Sequence, residues 1–298
     1  MFAITGASGR LGRLALAALL ERVDPAEVVA LSRTPRAAAD LPHVRRRAAD
    51  FADPSALPAA FDGVRRLLLV STDRTPGRLA LHRAAVAAAA AAGVEHVVYT
   101  SVVRAAEAGN PVPEARDHGL TEALLTDSGL AHTVLRVNVW PEMLLLSGLA
   151  RLAVAAGELP SGAGAGRVGY VTRPDTARAA AALLAGDGGL AGGRGEPPGR
   201  VLDLTGPGLT DAEVAAALAG ATGRPVRHRP VADEEVAGAL TALGVPTALA
   251  AAWGENDPFR RAGWFDVPDG GAARALLGRE PVGLAEFFAA HRRELLGG

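Results

Sequence analysis

The sequence predicts an α/β protein built on a doubly wound parallel sheet, with a smaller, mainly helical C-terminal lobe, and three observations carry that expectation. Through the first half of the chain, short β-rich runs alternate with longer alanine- and leucine-rich segments of helical period. Two of the short runs, residues 67–70 and 96–101, are nearly continuous in apolar residues, as strands covered on both faces must be. The third observation is local. The apolar run from Phe2 breaks into Thr5-Gly6-Ala7-Ser8-Gly9-Arg10-Leu11-Gly12, and a helical pattern (Leu14, Leu16, Ala17, Leu19, Leu20) follows at once.

Taken in order, strands are expected at residues 2–5, 28–32, 44–48, 67–70, 96–101 and 132–136. Helices near 10–22, 54–61, 77–92 and 118–127 fall between them, and Gly93 and Gly129 stand where left-handed helix C-caps belong. After Arg136 the alternation stops. A helix over 141–156 leads into the glycine-rich segment 157–166, read either as a flexible lid or pocket wall or as a plain solvent loop. A helix at 175–184, a polar glycine-rich connection at 186–199 and a strand at 201–204 come next. Thr210 with Glu213 three residues on forms a capping box, opening the first of three helices at 211–221, 233–243 and 284–295. The expected division is a nucleotide-binding domain of residues 1–140, completed by about 166–205, and a lobe of 206–298 with 141–165.

Composition narrows the function. A 298-residue chain that is 49% apolar has ample core, and its net charge of −1 gives no reason to expect nucleic acid or acidic membranes as partners. The arginine clusters (Arg45 to Arg47, Arg65-Arg66, Arg260-Arg261, Arg292-Arg293) are short and scattered, as on a solvated surface. The absence of cysteine excludes disulfides and thiol chemistry, and the seven histidines show no metal-ligand spacing, so no metal is expected. Glycines with Arg10 and Arg13 interrupt the start where a signal peptide needs an apolar run, so the expected location is cytoplasmic.

The glycine turn is where chemistry enters. Strand, glycine-rich turn and helix start are the context of a dinucleotide-phosphate site, the alternative being an ordinary turn. Gly6 permits the tight turn, Gly9 lets backbone approach a pyrophosphate, and Gly12 lets helix and strand pack closely. Ser8, Arg10 and Leu11 complete the cradle, with the helix N-terminus facing the phosphates. About twenty residues on, where an acidic side chain would select NAD, the strand ends Ser32-Arg33. A guanidinium there matches a 2′-phosphate, so NADPH is the expected cofactor, although Arg33 also suits a plain surface position. Asp50 and Phe51 are placed to flank the adenine, and Ser71 and Thr72 to pass beneath the nicotinamide ribose and pyrophosphate.

With these residues in view, the chain resembles the atypical short-chain dehydrogenases of the NmrA-like group, most closely their quinone-oxidoreductase and triphenylmethane-reductase branch. The resemblance runs through Thr5 to Gly12, Ser32-Arg33, Leu67 to Ser71, Tyr99-Thr100-Ser101 and His118 with Thr121-Glu122. It continues through Asp127-Ser128-Gly129, Leu135-Arg136, Thr172 to Asp175, Leu204-Thr205-Gly206 and Gly263 to Asp266. It implies NADPH binding and a pocket between the sheet and the lobe. It also implies loss of the usual proton-donating tyrosine and lysine. The chain has no lysine, all 31 basic side chains being arginine, and Tyr99 and Tyr170 are followed four residues on by Val103 and Pro174.

The segment Val137 to Met143 departs from the branch, which usually carries Asn-Gly, an aromatic pair and Glu-Asn there. Asn138 and Trp140 are its candidate substrate-pocket residues, as an amide contact and a flat apolar wall; each also suits core packing. Ser101 is the candidate hydrogen-bond donor to a reacting oxygen, or a strand-end cap, and His118 a candidate proton donor, or the solvent-facing start of a helix. Similar lysine-independent enzymes reduce ketones of aromatic polyketide antibiotics. The expected activity is therefore hydride transfer from NADPH to an aromatic quinone or ketone, ketoreductase or quinone reductase, with protonation by substrate or solvent. The alternative is a redox-sensing regulator that binds the cofactor without turnover and contacts a protein partner.

Overall fold

The structure, a computed structural model, describes residues 1–35, 43–73, 77–186 and 199–298. Its strands are β1 (Phe2–Ile4), β2 (Val28–Ser32), β3 (Arg45–Ala48), β4 (Arg66–Leu69), β5 (His96–Val102) and β6 (Ala131–Val137). They continue with β7 (Glu158–Ser161), β8 (Val168–Gly169), β9 (Gly199–Leu204), β10 (Gly208–Leu209) and β11 (Arg227–Pro230). The helices begin with α1 (Arg10–Leu20), α2 (Leu57–Phe61), α3 (Arg78–Ala91), α4 (Pro113–Asp127), α5 (Glu142–Leu146), α6 (Leu149–Ala156) and α7 (Arg173–Ala185). The rest are α8 (Asp211–Thr222), α9 (Asp233–Ala242), α10 (Thr247–Arg261), α11 (Ala272–Leu277), α12 (Leu284–Ala290) and α13 (Arg292–Leu295). They fall into two compact units: Met1–Val137 with Arg173–Leu204 and Gly271–Glu280, and Asn138–Thr172 with Thr205–Gly270 and Pro281–Gly298.

The first unit holds, among the described residues, a seven-stranded sheet ordered β3-β2-β1-β4-β5-β6-β9 with every pairing parallel. This is the expected doubly wound fold. The strand order reverses between β1 and β4, and the crevice beyond their carboxyl ends is where such sheets take ligands. One face packs Phe61, Leu67, Leu69, Tyr99 and Leu125 into a core with almost no exposed surface. Burying each such side chain contributes about 1.5–3 kcal/mol. The segment Gly271–Glu280 returns to this unit, where Arg279 reaches the fully buried Asp175 of α7.

Helix starts differ most from expectation. α4 begins five residues before His118, because extended Val112 and Pro113 at the first turn launch it. His118 is therefore mid-helix and buried, where the sequence reading set it at a helix start. Gly119 then follows inside the helix because the carbonyl of Ala105 lies 2.4 Å from where a Cβ would stand. The helix expected over 141–156 is broken by Gly148, whose φ of +75° separates α5 from α6. That over 284–295 is likewise divided at His291 into α12 and α13. α10, α11 and the short strands β7, β8, β10 and β11 were not read from the sequence. The connection expected at 186–199 lies, but for its ends, outside the described residues.

The second unit packs helices around a parallel pair, β7 with β11, and an antiparallel pair, β8 with β10. Its core includes Leu159, Tyr170, Leu218, Leu240 and Phe288. The lid and solvent-loop readings of segment 157–166 are corrected here, while its reading as a pocket wall agrees with Leu159, Pro160 and Ser161 lining a small cavity of this unit. It is neither a lid nor a solvent loop: residues 159–163 are buried. The Ser161 hydroxyl donates to Asp211, and the Gly162 N–H donates to Asp257 at 2.7 Å. Gly166 has the Arg260 carbonyl 2.4 Å from its missing Cβ. Gly162 and Gly166 serve close packing, while Gly157 and Gly164 adopt φ of +76° and +59°.

Candidate functional site

The turn after β1 has the form its glycines predict. Gly6 adopts φ +60°, and the Gly9 N–H donates back to the Gly6 carbonyl at 2.8 Å. The Ala7 N–H donates to the Leu31 carbonyl, tying the turn to the end of β2. A Cβ on Gly12 would sit 2.1 Å from the Gly6 oxygen, so α1 can start this close to the turn only with glycine there. Gly9 is the N-cap of α1 and contributes no side-chain cap, which leaves first-turn N–H groups to an outside acceptor. Ser8 is half-buried and Arg10 exposed, while Leu11 is buried under the turn. A backbone cradle that side chains would fill suits a pyrophosphate.

At the end of β2, Ser32 is buried and its hydroxyl accepts from the Thr34 N–H at 2.9 Å, while Arg33 stands exposed. After β3, the carboxylate of exposed Asp50 accepts from the Ala52 N–H at 3.0 Å, and half-buried Phe51 packs on the sheet core. Beyond β4 the backbone leaves the ladder, and three consecutive N–H groups find side chains instead. Val70 donates to Thr5 Oγ1 at 2.9 Å, Ser71 to Thr100 Oγ1 at 2.9 Å and Thr72 to His82 Nε2 at 3.2 Å. The sequence reading placed Ser71 and Thr72 here and missed the side chains that hold them.

Beneath this edge lies a buried polar cluster. The Tyr99 hydroxyl and His118 Nδ1 are 2.8 Å apart, and His82 Nδ1 lies 2.9 Å from Thr121 Oγ1. Burial first, and then Arg78, pushes His82 down to about 4 and His118 down to about 3, so both imidazoles are neutral. Burial pushes the Tyr99 phenol well up, so it keeps its proton. Beside them the Ser101 hydroxyl donates to Glu122 Oε1 at 2.6 Å, and the Arg136 guanidinium takes both Glu122 oxygens at 3.0 and 2.6 Å.

These contacts correct several expectations. His118 is not exposed at a helix start, and its imidazole faces Tyr99. Ser101 is 3% exposed and its proton is engaged by Glu122. Asn138 is also buried, its amide donating to Thr205 Oγ1 and the Phe265 carbonyl at 3.0 Å each, while its oxygen accepts from the Val139 N–H. That amide braces the second unit and has no donor left for a substrate. Trp140 remains half-buried. A readable signal for the cluster was the spacing of His118, Thr121 and Glu122, which puts them on one face of a helix. His82, alone on an alanine-rich helix, carried no such signal. In the second unit a cavity of ≈ 20 Å³ is lined by Tyr170, Asp211, Trp253 and Arg260 among others, with room for about one water and none for an aromatic substrate. No helix among the described residues is long and apolar enough to cross a membrane.

A parallel sheet of this order with this turn defines a Rossmann-type dinucleotide-binding protein. The chain matches the NAD(P)H-binding family over residues 6–187. It is 34% identical to quinone oxidoreductase 2 of Escherichia coli over 96% of each chain, and 30% identical to an NAD(P)H azoreductase of Xenophilus azovorans over 98% of each. The solved complex of the Escherichia coli quinone oxidoreductase with NADPH superposes with a TM-score of 0.86 at 33% identity, covering 98% of this chain and 99% of that one. The Citrobacter triphenylmethane reductase bound to NADP(H) gives 0.86 at 29% identity, covering 98% and 100%. The chain belongs to the NAD(P)H-binding family, as an oxidoreductase of its NmrA-like, atypical short-chain dehydrogenase branch.

Proposed function

We propose that this protein passes hydride from NADPH to a quinone or similarly delocalised aromatic acceptor, with the proton drawn from solvent or from the substrate itself. One observation supports this above others: among the described residues, the candidate acids beside the β5 end are engaged or hold their protons tightly. His118 is neutral and faces Tyr99, the Tyr99 phenol is held protonated by burial, and Ser101 donates to Glu122. NADPH supplies the hydride, and the protein contributes orientation and exclusion of water. A quinone spreads the incoming charge through its ring and needs no acid, whereas a simple ketone must have its alkoxide protonated. An aromatic ketone with a neighbouring hydroxyl, as in polyketides, can supply that proton and is the second acceptor class.

Arg33 is the proposed ligand of the 2′-phosphate. Arg33→Ala is expected to weaken NADPH roughly tenfold to a hundredfold and to leave NADH nearly unchanged, read by cofactor-fluorescence titration. Equal losses for both cofactors would remove that assignment. The activity is tested by NADPH oxidation against a panel of quinones and polycyclic ketones, with single-turnover rates for Ser101→Ala and His118→Ala. Losses near tenfold are expected, against the roughly 10²–10⁴ of deleting a true acid. A collapse on that larger scale would identify the acid. Tight NADPH binding without turnover on any acceptor would point instead to a redox-responsive regulator.

A further inference from the structure

We propose that His82 is a positioning residue for hydride transfer: its Nε2 accepts the Thr72 N–H and so fixes the segment 70–73 against which the nicotinamide half of the cofactor lies. The proposal rests on that placement of the cofactor. The hydrogen count assigns the tautomer. Thr121 Oγ1 has one proton and donates it to the Asp117 carbonyl at 2.8 Å, so towards His82 it can only accept. The imidazole proton therefore sits on Nδ1, pointing at Thr121, and the Nε2 lone pair faces Thr72 at 3.2 Å. Only the neutral ring can do this, because a proton on Nε2 would confront the Thr72 N–H.

The surroundings keep the ring neutral. His82 has no exposed surface, and burial with the Arg78 guanidinium holds it at about 4. The other titratable groups facing it are Tyr99 of β5, at a ring separation of 5.7 Å, and His118 of α4; Asp117 of α4 lies 3.9 Å from Arg78. Val70 and Ser71 are held independently by Thr5 and Thr100, so His82 governs the outermost of the three held N–H groups. Losing it frees that end of the segment while the sheet stays closed.

The test compares His82→Leu, which removes the acceptor, with His82→Gln, whose amide can present an oxygen to Thr72 and an N–H to Thr121. Thermal melts confirm that each is folded. His82→Leu is expected to raise the NADPH dissociation constant about tenfold, and His82→Gln to stay within about twofold of wild type. As pH falls from 5 through 4, wild type should lose NADPH affinity relative to His82→Gln measured at the same pH, by about twofold at pH 4, because at position 82 only the imidazole takes up a proton in that range. If both variants are equally impaired, or if the two proteins keep parallel pH profiles, the positioning role is overturned; the profile decides even where His82→Leu does not fold. Ser71→Trp separates the premise from the proposal. Native NADPH affinity in Ser71→Trp would show that the segment does not meet the cofactor, and the proposal would fall with its premise. Lost binding in Ser71→Trp beside native binding in a folded His82→Leu would leave the placement standing and overturn the role of His82 alone.

Discussion

Both units bury a polar cluster, and the two are made from different chemistry. In the first unit His82, Tyr99, His118 and Thr121 are all neutral, and they satisfy one another and a backbone N–H at the carboxyl edge of the sheet. In the second, Arg260 is a full charge set between Asp211 and Asp257, whose carboxylates also hold Ser161 and the Gly162 N–H. Neutral groups hold the edge of the sheet, with the Arg78 charge and the Arg136–Glu122 pair beside them. Charges brace a buried strap of the second unit, where removal of Arg260 leaves two carboxylates uncompensated. The difference is between holding a backbone in register and bolting a segment down.

Acid should separate the two first and most strongly. Burial holds His82 and His96 at about 4 and His118 at about 3, against 6.5 in the unfolded chain. Between those values the unfolded chain binds protons that the folded one refuses. The stability these histidines contribute is thus fully present above pH 6.5 and is lost as pH falls towards 4, at up to ~1.4 kcal/mol per pH unit each. Asp257 runs the other way: burial raises its carboxyl, so protonation on acidification relieves the folded state. Hydrogen exchange followed peptide by peptide should show β5 losing protection before β7 as the pH falls. Simultaneous loss would mean that the chemical difference does not govern the order.

Removing the charge in the second cluster is expected to come next. Arg260→Ala leaves two buried carboxylates without their partner and should cost about 3–5 kcal/mol. Trp140, Trp253 and Trp264 all belong to the second unit, so urea unfolding followed by tryptophan emission reads this directly. A loss under about 1 kcal/mol would mean that water already reaches the pair. In the neutral cluster, Thr121→Val deletes the acceptor for His82 and should cost about 1–3 kcal/mol, seen in calorimetry. Smallest is Asp233→Asn, which weakens a half-exposed pair with Arg261. Its expected effect is no resolvable shift of the urea midpoint, since exposed pairs are screened by solvent, and a clear shift would extend the buried ionic cluster to the surface.

Where a feature depends on neighbours in the chain, its residues reveal it. The turn from Gly6 to Gly12, the apolar runs of β4 and β5, and the Thr210–Glu213 capping box each follow from local period, local sterics or a reach of three residues. The nicotinamide cofactor was legible for the same reason, since a phosphate cradle is one continuous segment, and the family was legible through its resemblance to motifs spread from Thr5 to Asp266. What the tertiary structure alone decided are partnerships across long separations: His82 with Thr121, 39 residues apart; Gly162 with Asp257, 95 apart; Asn138 with Phe265, 127 apart. A glycine-rich run looks flexible until another chain segment packs where its side chains would have been. A serine or histidine looks free until its hydrogen bonds are counted, as for Ser101 with Glu122 and His118 with Tyr99. Hydrogen bonds and close contacts form between whatever the fold brings together, and no local pattern states which residues those are.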